Sequence, residues 1–346
     1  MDLGTLAARL IKSADEARYS HPRRALDRAA AARAFVASVE ADELPPDGRG
    51  LWLDLQSDAW AVYGSAARSV GDLESAESAL LVSLAFLDAS SGAHPPQATA
   101  EGLGRRARLA QRAGYVRMDQ GRFREALDLL AQARGLYREV KDPVREACVQ
   151  VDEALVFKRA GRPRDAVSRL VSALGGLDRG AEPRSYLAAV HNLARLLLEV
   201  AESAPEEEEA LRWLELARRE HGRYPERLHV LRLRALAALT AARFGRVEEA
   251  IAELEALAAA FGDIGAAGDQ VLALLYVADL SLQRPGATPR QVSAMTGLIF
   301  PLLRRLPVDD EAKAALRRLL TQAERQGTEP AALRRAVELM ERNLGA

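Results

Sequence analysis

One spacing recurs four times along this chain: a glycine, an alanine five residues later and a leucine four beyond that. It occurs as Gly71, Ala76 and Leu80, as Gly121, Ala126 and Leu130, as Gly161, Ala166 and Leu170, and as Gly245, Ala250 and Leu254. Glycine accepts the left-handed backbone that closes a helix, and a small alanine lets the next helix lie close to the one just ended. Repetition of that pair of requirements predicts helical hairpins stacked side by side. A lone hairpin cannot bury both of its apolar faces, so each copy depends on its neighbours, and function is expected on a surface rather than in a catalytic motif.

The segments between chain breakers fit this reading. Leu44-Pro45-Pro46-Asp47-Gly48, Lys141-Asp142-Pro143, Gly180-Ala181-Glu182-Pro183, His221-Gly222-Arg223-Tyr224-Pro225 and Gln326-Gly327-Thr328-Glu329-Pro330 are among the clearest breakers. They cut the chain into segments of roughly 15 to 22 residues, and about sixteen helices in eight pairs are expected. Apolar residues recur at three and four within them, as in Ile251, Leu254, Leu257, Ala258 and Phe261. Hydrophobic residues make up 49% of the chain but aromatic ones only 5%, so the expected core is Ala, Leu and Val, which suits close helix packing. The fold class predicted is all-α. The run Glu206-Glu207-Glu208-Glu209 follows Ser203-Ala204-Pro205 and reads as a helix start, with a cap, a proline in the first turn and acids favoured by the helix dipole.

The best copy of the repeat runs from Ala59 to Ser83, with Trp60, Gly64, Gly71, Ala76, Leu80 and Ser83 in order. This pattern resembles the tetratricopeptide repeat. A second copy has Gly114, Gly121, Ala126, Leu130 and Ala133, a third has Ala154, Gly161, Ala166, Leu170 and Ala173, and a further one keeps Ala238, Gly245, Ala250 and Leu254. The helix-ending glycines stand 50, 40 and 84 residues apart (71 to 121, 121 to 161, 161 to 245), wider than the family unit of about 34. The resemblance implies a right-handed superhelical solenoid of antiparallel helix pairs. Its expected divisions are an N-terminal helical cap over 1–50, a repeat array over 51–305 and capping helices over 306–346. The whole chain is similar to stand-alone bacterial repeat proteins and to the sensor halves of bacterial regulators.

Little in the sequence points to catalysis. Lys plus Arg number 48 against 49 Asp plus Glu, so no global field invites nucleic acid or an anionic membrane. Cys148 is the single cysteine and is expected to be a small buried thiol in a reducing cytosol. No secretory signal or membrane span is read, and a cytoplasmic protein is expected. None of the five histidines lies at metalloprotease spacing; His94 and His221 adjoin breakers and are expected to be solvated, whereas His191 lies on a helix beside Asn192. Gly102-Leu103-Gly104 lacks the rest of a phosphate loop, and no nucleophile has a legible base partner. No enzyme activity, cofactor or metal is predicted.

In the family the first helix of each hairpin lines the concave face. Carried onto this chain through Gly64, Gly114, Ala154, Ala194, Ala238 and Ala278, that face holds Arg68, Arg108, Gln111, Tyr115, Lys158, Arg159, His191, Arg195, Arg232 and Arg243, with Asp58, Asp119, Glu199 and Asp279. Asn192 alone is similar to the Lys and Asn pairs that clamp a terminal carboxylate in some members. The sharper expectation is an electropositive groove centred on Arg108, Tyr115, Lys158, Arg159, His191 and Arg195 that accepts an acidic or C-terminal peptide segment. Two functions follow from the resemblance: a scaffold or adaptor in bacterial signalling or regulation, and a sensor of a peptide or small ligand that controls a separate transcription factor or effector. No nucleic-acid or membrane partner is expected, and self-association is left open.

Overall fold

The computed structural model describes residues 2–17, 22–39, 44, 48–93, 99–180, 182–223 and 227–282, with 316, 317 and 321. These residues form helices and no strand. In order they are α1 (Leu3–Ala17), α2 (Pro22–Ser38), α3 (Arg49–Ser69), α4 (Leu73–Ala93), α5 (Ala100–Asp119), α6 (Phe123–Glu139), α7 (Pro143–Arg159) and α8 (Pro163–Gly176). There follow α9 (Pro183–Val200), α10 (Ala204–Arg223), α11 (Arg227–Arg243), α12 (Val247–Asp263) and α13 (Ala267–Leu282). Thirteen helices among the described residues differ from the sixteen expected. The capping helices expected over 306–346, like His94, lie almost wholly outside the described residues.

The hairpin turns have one geometry. At Gly121, φ is +75°; its N–H donates to the Met118 carbonyl at 3.0 Å, and the next N–H, of Arg122, donates to the Arg117 carbonyl at 2.8 Å. This pair of bonds is the Schellman arrangement, which satisfies carbonyls that a helix end would leave bare. It repeats at Gly71, Gly161, Gly245 and Gly265, and at Lys141, which takes a left-handed φ of 56° without being glycine. The spacing read from sequence therefore marks turns within hairpins, while Lys141 and Gly265 make the same turn between them.

Close approach behind each turn is equally physical. A Cβ at Gly114 would stand 3.1 Å from Leu130 Cγ and 3.4 Å from the Ala126 carbonyl, and one at Gly64 would stand 3.0 Å from the Ala76 carbonyl. Ala126, Leu130, Ala133 and Tyr137 of α6 are buried against Ala107 and Ala110 of α5 and against Val149 and Val156 of α7. Burying one such leucine contributes about 1.5–3 kcal/mol. Glu153 of α7 is only 3% exposed, yet Arg134 of α6 and Arg169 of α8 both stand 3.1 Å from its carboxylate. One buried charge thereby ties three helices together.

The chain divides into two compact units, 1–189 and 190–346, with the division inside α9. In the first, α1 and α2 pack on each other and on α3 through Ala7, Ile11, Ala14, Ala25, Ala29, Ala32, Trp52, Ala59 and Val62. Trp52 donates its indole N–H to the Val36 carbonyl at 3.1 Å. The pairs α3/α4, α5/α6 and α7/α8 then follow. In the second unit α11, α12 and α13 share a core around Leu254, Leu257 and Phe261. At the start of α10 the Glu206 carboxylate accepts from the N–H groups of Glu202 and Ser203 and from the Ser203 hydroxyl. The acidic run thus lies at a helix start, as the sequence predicts, with Glu206 supplying the cap.

Candidate functional site

Within the first unit the first helices of successive pairs approach one another. α3 meets α5 and α5 meets α7, while no contact of that extent joins α4 to α6 among the described residues. Closer packing on one side makes the α3, α5 and α7 face the inner one, where the family resemblance places a ligand.

That face is a ladder of polar side chains. Arg105 of α5 lies 2.9 Å from Asp54 and 3.4 Å from Asp58 of α3. One level on, Asp119 of α5 accepts from Arg68 of α3 at 2.6 Å and from Arg159 of α7 at 2.5 Å. Between these rungs Gln111 donates its amide to the Tyr115 hydroxyl at 3.2 Å and to Asp152 of α7 at 2.5 Å. Tyr115 is itself hydrogen-bonded to Asp152, and the Arg68 guanidinium stands 5.2 Å from the centre of its ring. The side chains of Arg68, Arg159 and Asp119 are 25%, 24% and 23% exposed, so water screens these charges only partly.

Asp152 differs from the other rungs. Its direct partners are neutral, and burial raises its carboxyl from the ordinary value to about 6 against the opposing pull of the Tyr115 and Gln111 hydrogen bonds and the more distant Arg68 charge. Burial also raises the Tyr115 hydroxyl well above its usual range, reinforced by the Asp152 carboxylate. The inner face therefore has three cations, Arg68, Arg105 and Arg159, against Asp54, Asp58, Asp119 and Asp152.

The sequence-predicted residues thus divide. Arg68, Arg108, Gln111, Tyr115, Lys158 and Arg159 belong to the first unit and all but Arg108 and Lys158 enter the ladder; His191, Asn192, Arg195, Arg232 and Arg243 belong to the second. Arg232 pairs with Asp269 at 2.6 Å. Arg243 binds Glu207 at 3.0 Å and donates to the backbone carbonyls of Leu198 and Ala201 at 2.5 and 2.7 Å. The sequence count of charges left out Asp54 and Asp152, because which carboxylate meets which arginine depends on how neighbouring helices are offset. His221 is a correction: instead of being solvated beside a breaker it is 3% exposed, since α10 continues through it to Arg223.

Cys148 is half-buried, its thiol 3.4 Å from the Ser185 hydroxyl and raised above its usual pKa by burial. Among the described residues, no three or more His, Cys, Asp or Glu side chains are grouped to hold a metal ion, and no helix is long and apolar enough to cross a membrane.

No protein-family model matches the chain, and no curated protein matches it. Among solved structures it is similar to a Rap protein complexed with Competence and Sporulation Factor, at 11% identity and a TM-score of 0.60 over 99% of each chain. It is similar also to aspartyl phosphate phosphatase F from Bacillus subtilis, at 11% identity and 0.59 over 100% of this chain and 96% of that one. The Rap conjugation gene regulator of plasmid pLS20, in complex with the Phr* peptide, aligns at 12% identity and 0.50 over 98% and 96%. At such identities the likeness is one of fold. With the repeated Schellman turns and the small residues behind them, it identifies the chain as a helical-repeat protein of tetratricopeptide-like fold.

Proposed function

We propose that this protein is a non-enzymatic regulatory scaffold, a right-handed helical array that binds a segment of another protein or a peptide against the inner faces of α3, α5 and α7. The observation that carries the reading is the ladder itself: polar side chains from three hairpins converge on one face, and Asp152 among them is held only by neutral donors. A carboxylate kept in that state is an acceptor awaiting a cation. Two solved proteins of similar fold, one complexed with Competence and Sporulation Factor and one with the Phr* peptide, lend support. They also favour the sensor form of the reading, in which a bound peptide alters how the array meets a regulatory partner in the cytoplasm.

The charge pattern favours a segment of mixed charge over a uniformly acidic one. Arg68 and Arg159 are already bonded to Asp119, which leaves Arg108 to meet an anion and Asp152 to meet a lysine, an arginine or an amino terminus. Probing an array of systematically varied short peptides with the full chain tests this. Enrichment of Lys or Arg at one position, lost in Asp152→Asn, is the expected result. Retention of acidic peptides alone would return the reading to a cationic groove, and an array that retains nothing would overturn peptide recognition.

A further inference from the structure

Three histidines, far apart in sequence and borne by three helices, meet in the second unit. His191 of α9 stands edge-on to His221 near the end of α10, with ring centres 6.0 Å apart and planes at 84°. His229 of α11 is also 6.0 Å from His221, its plane tilted by 37°. His221 is 3% exposed, and neither Nδ1 nor Nε2 has a hydrogen-bond partner. A neutral imidazole carries one donor and one acceptor, so this ring has left water with both unmatched. The three rings do not form a metal-holding group.

The surroundings are poor in compensation for a proton. From α9 come His191 and, one turn on, Arg195; from α11 come His229 and, three residues on, Arg232, which Asp269 holds. From α10 itself comes the buried Glu220. Burial first, and the charge of His229 second, push the His221 imidazole below its ordinary pKa. Glu220 is not among the groups acting on it.

We propose that His191, His221 and His229 form a pH-sensitive contact that joins α9, α10 and α11 while the rings are neutral and loosens them on protonation. A depressed folded-state pKa fixes the direction. The unfolded chain accepts the proton near the ordinary value of 6.5, the folded chain only at lower pH, so the contact stabilises fully above 6.5 and its contribution declines as pH falls below it. Because α10 connects α9 to α11, loosening it frees the spacing of two successive first helices. The contact is a regulatory device independent of what the first unit binds.

Amide hydrogen exchange of the full chain, corrected for the intrinsic effect of pH, provides the test. Between pH 7.5 and 5.5 protection over α10 and α11 is expected to fall several-fold, in the direction that the depressed His221 pKa sets. His221→Phe keeps a ring of similar size without a titrating group, and its protection is expected to hold constant. Identical pH responses of the two proteins would overturn the proposal. NMR titration of the wild-type histidine rings decides independently of how the variant folds: a His221 midpoint below 6.5 supports the switch, and one at or above 6.5 overturns it.

Discussion

Asp152 is a residue whose burial and bonding pull in opposite directions. Its raised pKa means that the folded chain holds a proton more tightly than the unfolded chain, whose carboxyl titrates near 3.8. The associated stabilisation is therefore present below that value and is lost as pH rises through about 6. Asp152→Asn keeps an acceptor for Gln111 and Tyr115 but never carries the charge. Urea denaturation should find it about 1–3 kcal/mol more stable than wild type at pH 7.5, as a shift of roughly two pKa units implies, and the difference should shrink towards pH 4. A wild type that is the more stable at pH 7.5 would show that the carboxylate is adequately solvated. A variant that gains stability while losing peptide is what a binding residue, held at a cost to the fold, produces. The sequence offered Gln111 and Tyr115 as site residues because the family register names those positions. It could not offer Asp152, whose role depends on a cross-helix offset, nor the burial of His221, which depends on the packing of α9 and α11 around it.

Among the elements, the turns were the most legible feature, because a left-handed residue after a helix leaves glycine in the sequence. Gly71, Gly121, Gly161 and Gly245 were read directly, and all four have positive φ. Lys141 adopts the same conformation and makes the same two backbone bonds, so only the breaker Lys141-Asp142-Pro143 marked its place. There the neighbours enforce the turn: Asp142 caps α7 by accepting from the Arg145 N–H at 3.0 Å, and Pro143 supplies the first helical residue. A non-glycine residue held left-handed costs roughly 1–2 kcal/mol, and glycine gives back part of that gain through its freer unfolded state. Lys141→Gly is expected to stabilise the protein by about 0.5–1 kcal/mol and to raise the melting temperature by roughly 1–2 °C, read by a thermal melt. A lower melting temperature would mean that the lysine makes a surface contact worth more than its backbone strain.

At the scale of the whole chain, the helices touch mainly their sequence neighbours, and each unit gathers its own contacts. A stack of this kind distributes stability along its length, and a local defect spreads through interfaces rather than collapsing everything at once. Gly114 offers a clean defect. It lies where α5 approaches α6, and any larger side chain meets Leu130 and the Ala126 backbone, which cannot both withdraw. Gly114→Val should cost about 1–3 kcal/mol, as overpacking does. Hydrogen exchange should show the loss of protection greatest in α5 and α6, smaller in α3, α4 and α7, and least in α12 and α13, which share no core residue with them. Equal loss in every helix would mean that the chain unfolds as a single cooperative block. Confinement to the first unit would instead allow α3, α5 and α7 to adjust to a ligand while the hairpins beyond them keep their packing, which is the property that a peptide-responsive scaffold requires.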